Sequence, residues 1–220
     1  MKEYFDILAR SSLFSGIPST DIIALLHCVQ ARCVSYKKDA MIIEEGEQVK
    51  EFGIVLSGHG RSMKWDGSDK LVILTLFKAG SAIGVLLAAN PSHESSVFVQ
   101  ALEDTVVLHI SFDKMLSRCS ENCPRHDAIL KNYIKIVSQK GLVLHERISC
   151  LLKPTVREKI TSYLKRVSVE QKSKTITIPL NRNQMAEYLN VERSALSREL
   201  SMMKREGLID YHLNGFKLIH

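Results

Sequence analysis

Long apolar runs are missing from this chain of 220 residues. The longest candidate, at positions 82–89, is far shorter than the roughly 18 residues that a membrane-spanning helix needs. The N-terminal residues include Glu3, Asp6 and Arg10 and contain no apolar segment of the kind found in secretory signals. We therefore expect a cytoplasmic protein with no membrane partner.

Motifs of the common enzyme classes are also missing. The sequence contains neither a glycine-rich phosphate loop nor a nucleophile elbow. Metal-dependent enzymes of the cupin type need a His-x-His pair on their strands, but His59 is followed by Gly60 and Arg61, and no such pair occurs elsewhere. The sequence thus predicts a protein that is not an enzyme, with a cupin-type metal enzyme as the remote alternative.

Cysteines are few, and their number is odd. The five, at positions 28, 33, 119, 123 and 150, cannot all be paired with one another. In a chain expected to be cytoplasmic, this count does not predict a disulfide framework.

The most informative stretch that is present lies at positions 180–208. Asn181 stands at an N-cap position before a predicted helix at 182–189, and Asn190 suits a left-handed turn. A second helix is predicted from about position 192, and Gly207 follows its end. Its inward face is formed by apolar side chains at helical spacing, namely Leu196, Leu200 and Met203. This pattern predicts a helix-turn-helix, whose second helix enters the major groove of DNA.

The outward face of that second helix carries hydrogen-bonding side chains. They are Arg193, Ser194, Ser197 and Arg198. An arginine can donate two hydrogen bonds to one guanine, so two of the four are candidate base readers. An ordinary helical hairpin with a polar surface is the alternative interpretation of these two helices alone.

Charge is distributed unevenly between the two parts of the chain. Residues 1–125 contain 13 Lys and Arg against 15 Asp and Glu, whereas residues 126–220 contain 17 against 9. The C-terminal part therefore carries a net charge of +8, which favours an anionic partner for that part, and nucleic acid in particular.

Short β-type segments dominate the part between positions 33 and 110. They fall at 40–43, 51–56, 59–65, 71–77, 97–101 and 106–110, and turn signals recur about every ten residues. This spacing is typical of an antiparallel sandwich or barrel, and the segment from Trp65 to Lys70 contains an Asp-Gly hairpin signal. Near the C-terminus, a strand at 175–179 and an Asn-Gly hairpin at Leu213-Asn214-Gly215 predict a wing beside the helix-turn-helix.

A long helix is predicted at positions 125–152. Apolar or small residues recur along it at alternating steps of four and three, at Leu130, Ile134, Val137, Gly141, Leu144, Ile148 and Leu151. This heptad spacing predicts a homodimer interface, and a helix buried in a monomer core is the alternative. A second stripe, formed by Ile129, Tyr133, Ile136 and Val143, is expected to pack against the β-rich part.

The order of these parts resembles the Crp/Fnr (catabolite activator protein) family of bacterial transcription regulators. The resemblance covers nearly the whole chain, and its specific matches include Glu45-Gly46-Glu47, the segment 54–58, Gly80 with Gly84, and the helix-turn-helix. It implies an α+β fold: a β-roll (jelly roll) sensor domain like the cyclic-nucleotide-binding domain at 1–124, a long dimerisation helix at 125–152 and a winged helix-turn-helix at 153–220. Its implied partners are double-stranded DNA with a near-palindromic operator, a second copy of the chain, RNA polymerase and a small-molecule effector.

The resemblance also assigns DNA contacts residue by residue. Arg193 and Arg198 match the two arginines that read bases in the family, and Asn181 and Asn183 match positions that touch phosphates or nearby bases. Ser194 stands where many members have a glutamate, so the operator is expected to differ from theirs. One further departure is Glu199, at a position where an apolar residue is common.

The sensor part departs from those members of the family that bind cyclic nucleotides. They carry Gly-Glu-Leu and Arg-Ser, where this chain has Gly84-Val85-Leu86 and Ser95-Ser96. A cyclic phosphate in a partly buried pocket needs a cation or several directed N–H groups. We therefore predict that these five residues line a pocket that does not bind cAMP or cGMP, and that takes a small uncharged or apolar effector, or none.

Redox or metal sensing is the alternative mode of control. Cys119, Cys123 and His126 fall close together in the sequence and resemble a thiol switch or a metal corner. An iron–sulfur cluster would need more N-terminal cysteines than Cys28 and Cys33, and Cys28 is expected to lie in the core. A haem bound through one of the eight histidines is a further alternative, although nothing singles one of them out. No cofactor and no metal site are predicted.

Overall fold

The computed structural model describes residues 2–65, 71–117 and 124–219. Two compact units are distinguished, Met1–Gly141 and Leu142–His220, and the boundary between them falls inside one continuous helix. The fold is α+β, as predicted from the sequence. The predicted turn beyond Trp65, and Cys119 and Cys123, lie outside the described residues.

Two four-stranded antiparallel sheets form the β-roll of the first unit. One has the strand order β1-β8-β3-β6 and the other β2-β7-β4-β5. The strands are β1 (Arg32–Tyr36), β2 (Met41–Ile43), β3 (Glu51–Ser57), β4 (His59–Trp65), β5 (Leu71–Lys78), β6 (Ala82–Ile83), β7 (Phe98–Ala101) and β8 (Thr105–Ser111). Strands β1 and β6 had not been predicted, because β1 is largely exposed and β6 has only two residues.

Strand β3 is buried on both faces, which explains why its sequence is an unbroken apolar run. Phe52, Ile54 and Leu56 point into a core shared with helices, while Val55 points into the interior between the sheets. The tight link to β4 depends on Gly58 (φ +87°), where a side chain would meet the carbonyl oxygen of Asp104 at 2.8 Å.

Helices cover the outer face of the first sheet. They are α1 (Phe5–Arg10), α2 (Ser19–Cys28), α3 (Val85–Ala88), α4 (Phe112–Leu116) and the first part of α5 (Pro124–Leu151). Ile129, Tyr133 and Ile136 of α5 are buried in this core, which confirms three members of the predicted second stripe. The Tyr133 hydroxyl donates to the Val85 carbonyl at 2.5 Å.

One residue of helix α2, Cys28, is not buried as the sequence predicted. The buried residues of the helix are Ile22, Leu25 and Leu26, whereas Cys28 is exposed and was wrongly expected in the core. At 100° per residue, position 28 lies outside the face defined by positions 22, 25 and 26. In the described residues no helix combines the length and apolar character required to cross a bilayer.

The second unit is a winged helix-turn-helix. It contains the end of α5, α6 (Val156–Gln171), β9 (Thr175–Thr177), α7 (Arg182–Leu189), α8 (Arg193–Arg205), β10 (Ile209–His212) and β11 (Gly215–Leu218). The strands form one antiparallel sheet in the order β10-β11-β9. Ile176 and Phe216, paired across β9 and β11, are both buried.

The predicted wing hairpin is present, but its turn is shifted by one residue. His212 pairs with Gly215, so the two central residues are Leu213 and Asn214 rather than Asn214 and Gly215. The observed register places Tyr211 opposite the buried Phe216, with ring centroids 5.7 Å apart, and this aromatic pair favours it over a register in which Leu213 would lie opposite Phe216.

Helix α6 begins with a reciprocal capping box. The amide of Glu158 donates to the Thr155 hydroxyl at 3.2 Å, and the Thr155 amide donates back to the Glu158 carboxylate at 3.1 Å. Both bonds satisfy backbone donors that the helix itself leaves unpaired.

Replacing Thr155 with alanine should lower the free energy of unfolding of the second unit by about 0.5–2 kcal/mol, because the cap is lost. Urea denaturation followed by circular dichroism measures this loss. Ser162→Ala, inside the same helix, is the control and should cause no loss, since alanine has the higher helix propensity. Equal stability of the two variants would contradict the role of the cap.

Candidate functional site

The first helix of the helix-turn-helix is fixed at its N-terminus by Asn181. The Oδ1 atom of this residue accepts from the Gln184 amide at 3.0 Å, and the Gln184 side chain accepts from the Asn181 amide at 2.9 Å. The capping bond uses Oδ1 and not the Nδ2 amino group. The sequence prediction of an N-cap at Asn181 is therefore confirmed, and the exposed Asn183 follows in the first turn.

The turn between α7 and α8 has the predicted left-handed residue. Asn190 adopts φ 49° and ψ 60°, and the next amide, of Val191, donates to the Ala186 carbonyl at 3.0 Å. Helix α8 then starts at Arg193 and buries the three predicted apolar residues, Leu196, Leu200 and Met203. Gly207 has φ +73° just beyond its end, as expected for a residue that terminates a helix.

The remaining face of α8 presents the predicted DNA-contacting side chains to the surface. Arg193, Ser194 and Arg198 are exposed, and Ser197 is half-buried. Within the described residues, neither the Arg193 nor the Arg198 guanidinium takes part in a hydrogen bond or an ion pair. All five N–H donors of each group are therefore available to a ligand.

The departure at Glu199 has a structural explanation. Arg157 of α6 donates from Nε to the Glu199 carboxylate at 2.5 Å, and its two terminal nitrogens donate to the Glu206 carboxylate at 2.7 and 2.8 Å. These bonds raise the pKa of Arg157, and the same guanidinium lowers the pKa of Glu206. One arginine thus holds α8 near its middle and just beyond its end.

The wing is joined to the start of α7 by Arg182, whose role had not been predicted. Its guanidinium lies 5.1 Å from the Tyr211 ring centroid and 5.5 Å from that of Phe216, and Nη2 donates to the Leu213 carbonyl at 3.3 Å. Burial lowers the pKa of Arg182. Sequence patterns give no signal for this contact, because it joins residues about 30 positions apart.

A second unpredicted contact connects the end of α5 to α7. The buried Arg147 guanidinium lies 4.3 Å from the Tyr188 ring centroid, and its Nη2 donates to the Tyr188 carbonyl at 3.4 Å. Arg166 donates to the Tyr188 hydroxyl at 3.3 Å, and the Tyr163 ring stacks at a tilt beside Tyr188. Burial is the main cause that lowers the pKa of Arg147. Because an arginine on a helix is normally exposed, this contact could not be predicted from the sequence.

The predicted dimer stripe on α5 is partly covered by the chain itself. Leu130 and Val137 pack against the core of the first unit, whereas Ile134 and Ile148 are each 56% exposed. Gly141 is exposed, with open space where a side chain would be. Leu144 and Leu151 are half-buried. Val143, expected in the second stripe, is 36% exposed.

The residues predicted to form the effector pocket are divided in the structure. Ser95 and Ser96 line a groove of about 610 Å³, together with Glu45, Gly46, Asn90, Ser92, Glu94 and Phe98. The other three predicted residues are not among those that line it. Gly84 (φ +69°) precedes α3, Val85 is buried in the core with the helices, and Leu86 is 40% exposed.

The groove is lined mainly by polar residues, although the surface they expose to it is about equally polar and apolar. It contains the Glu45 and Glu94 side chains, and its lining residues in the described chain include no lysine or arginine. Ser95 is buried, and its hydroxyl donates to the Val97 carbonyl at 2.7 Å, so it serves the local turn.

A polar pair lies at the inner face of the first sheet, next to the apolar interior of the β-roll. The Tyr36 hydroxyl and the His109 Nε2 atom are 2.9 Å apart, and the His109 Nδ1 atom is 3.9 Å from the Glu51 carboxylate. Burial is the main cause that lowers the pKa of His109. The signal in the sequence is a histidine within an otherwise apolar strand.

The predicted cysteine corner is only partly described. His126 is buried at the start of α5, while Cys119 and Cys123 lie outside the described residues. Cys28 and Cys33 are both exposed, and the partial burial that remains at Cys33 raises the pKa of its thiol.

Comparison with known families identifies both units. Residues 33–122 match the cyclic nucleotide-binding domain, and residues 158–219 match the Crp-like helix-turn-helix domain. Together the two matches cover more than two thirds of the chain. The chain belongs to the Crp/Fnr family of transcription regulators. Because the proteins it matches are regulators and not enzymes, the cupin alternative is set aside.

The individual relatives compared with this chain are distant from it in sequence. Electron transport regulator A of Shewanella oneidensis is 24% identical over 179 residues, which cover 79% of this chain and 69% of that protein. FixK2 from Bradyrhizobium japonicum shares the fold at 20% identity and a TM-score of 0.65, covering 86% of this chain and 93% of FixK2. A CooA mutant from Carboxydothermus hydrogenoformans has 20% identity and a TM-score of 0.72, with coverages of 90% and 86%.

Proposed function

We propose that this Crp/Fnr-type regulator is a homodimer that reads a specific DNA sequence and responds to an effector other than a cyclic nucleotide. The observation that carries the proposal is the exposed N-terminal half of α8, where Arg193 and Arg198 are free of partners in the described chain. A recognition helix contacts base edges through its N-terminal residues, and these arginines are its first and sixth.

Base reading and phosphate binding fall to different residues. Arg193 and Arg198 donate pairs of hydrogen bonds to guanine, and Ser194 and Ser197 contribute single bonds on the same face. Asn181 and Asn183 bind phosphates beside the start of α7, Asn181 through the amino group that its cap does not use. The net charge of +8 in residues 126–220 adds salt-dependent affinity that is independent of sequence.

Dimerisation is assigned to the exposed apolar residues of α5. Ile134 and Ile148 are two heptads apart and therefore occupy the same position of a coiled-coil seam. Exposed isoleucines at this spacing are stabilised when a second copy of the helix covers them. A symmetric dimer places two α8 helices in successive major grooves, so the operator is a near-palindrome with half-sites about 10 base pairs apart. RNA polymerase is the proposed protein partner at such an operator.

Control by a cyclic nucleotide is disfavoured by the charge of the groove. The carboxylates of Glu45 and Glu94 would repel a phosphodiester, and the lining residues of the described chain offer no cation to replace the family's arginine. Val85, at the position of the family's glutamate, is buried in the core and turns no polar group to a ribose. We therefore assign the β-roll a different effector.

Arg193→Ala should lose about 1–3 kcal/mol of discrimination at one base pair of each half-site, because the bidentate contact is lost. Selection from randomised duplexes defines the wild-type operator, and competition with single-base variants measures the discrimination. Arg205→Ala removes the same charge from the other end of α8 and should leave the base preference unchanged. If Arg193→Ala kept the wild-type preference at every position, the reading role would be wrong.

The variant Ile134→Glu/Ile148→Glu should be a monomer, because charged side chains cannot be buried at a helix seam without a large cost in free energy. Light scattering after size exclusion should give twice the chain mass of 24.8 kDa for the wild type and the single mass for this variant. Val169→Glu is the matched control, since Val169 is an apolar residue 77% exposed on α6. A monomeric wild type would contradict the proposal.

Titration calorimetry with cAMP and cGMP should detect no binding in the micromolar range, because the groove carries negative charge and its lining in the described part of the chain includes no cation. AMP is the control for weak anion binding. A micromolar dissociation constant for either cyclic nucleotide, with none for AMP, would show that the assignment of the effector is incorrect.

A further inference from the structure

The tip of the wing presents an exposed leucine in a conformation that leucine disfavours. Leu213 is 75% exposed and has φ 50°, in the left-handed region where glycine and asparagine are the common residues. Its neighbour Asn214, which tolerates that conformation, occupies the next position of the turn instead. The Tyr211–Phe216 pair favours this register of the hairpin, but it does not require leucine at the tip.

The tip is held from two sides. The Leu213 carbonyl accepts from Arg182 Nη2 at 3.3 Å, and the Asn214 carbonyl accepts from the Ile178 amide at 3.0 Å. The same Arg182 guanidinium lies 5.1 Å from the Tyr211 ring centroid and 5.5 Å from that of Phe216. An apolar side chain on a rigid turn loses little conformational freedom when it is inserted into a partner.

The position of the tip indicates which partner it meets. Arg182 is the first residue of α7 and lies between Asn181 and Asn183, the proposed phosphate contacts. A row of phosphates forms the common border of a major groove and the adjacent minor groove. A feature beside that row therefore reaches the minor groove next to the major groove that α8 enters. Leucine is among the side chains that proteins insert into minor grooves.

We propose that Leu213 inserts into the minor groove beside each half-site and contributes to operator choice through the width and deformability of the DNA. This inference rests on the proposed DNA-binding function and adds a contact outside α8. Since the side chain offers no hydrogen bond, it selects sequences whose base steps open easily rather than particular base edges.

Leu213→Asn tests the inference because its two effects have opposite signs. Asparagine suits a positive φ, so the melting temperature should stay equal or rise. Affinity for the selected operator at fixed salt should fall on the order of fivefold, because the buried apolar contact is lost. Hydroxyl-radical footprints should lose protection of the sugars in the flanking minor groove and keep it elsewhere.

Two further variants distinguish a contact made by the Leu213 side chain from an effect on the folding of the unit. Leu213→Met keeps an apolar side chain of similar length and should retain the affinity and the footprint. Val169→Asn removes an exposed apolar residue elsewhere in the same unit and should also leave both unchanged. These results, together with the loss in Leu213→Asn, would support the inference.

Several results would overturn it. Wild-type affinity and footprint in Leu213→Asn would do so, and so would a lowered melting temperature accompanied by uniformly weaker binding, which indicates a structural role. Unchanged DNA binding with reduced transcription by RNA polymerase would assign the tip to a protein partner. Failure of the wild-type chain to select any duplex is a separate outcome, which would overturn the proposed function together with this inference.

Discussion

Burial of the Arg147 guanidinium against Tyr188 is the interaction on which the DNA-binding unit depends. It makes the last turns of α5 part of that unit, because the side chain contacts both the ring and the carbonyl of Tyr188 on α7. Helix α7 in turn fixes the turn at Asn190 and the start of α8. A guanidinium suits this position better than an ammonium, since it is planar, stacks on an aromatic face and stays charged despite a lowered pKa. Arg147 thus contributes to the placement of the start of α8, although it is not among the proposed DNA-contacting residues.

Local patterns were sufficient to predict the elements of the second unit. Asn181, Asn190 and Gly207 mark helix ends through backbone chemistry that depends on a few neighbouring residues, and each was found where it was predicted. Contacts between distant positions were not accessible in this way. The contact of Arg182 with Tyr211 and that of Arg147 with Tyr188 join residues 29 and 41 positions apart, and an isolated arginine carries no sign of its partner. The hairpin shift also involves a contact between strands, since the observed register places the Tyr211 ring opposite that of Phe216.

The sensor part shows a different limit of sequence patterns. An apolar run at positions 83–87 predicts that those side chains face a pocket, yet Val85 faces the core with the helices and Leu86 faces solvent. One strand or one short helix supplies residues to two surfaces, and composition does not separate them. The groove that Ser95 and Ser96 line takes its charge from Glu45 and Glu94, which are about 50 positions apart in the sequence. What a ligand would meet there follows from the fold and not from either segment alone.

The guanidinium of Arg157 has a consequence for how this regulator can change its target. By bonding to Glu199 and Glu206, it anchors the middle and the end of α8 to α6, while the first turn of α8 forms no ion pair in the described chain. Under the proposed function, the anchoring residues and the base-reading residues are therefore different side chains on one helix. Substitutions at positions 193, 194 and 197 would then alter the operator sequence without disturbing the contacts that hold the helix. A change of operator would require single substitutions on α8 and no repacking of the fold.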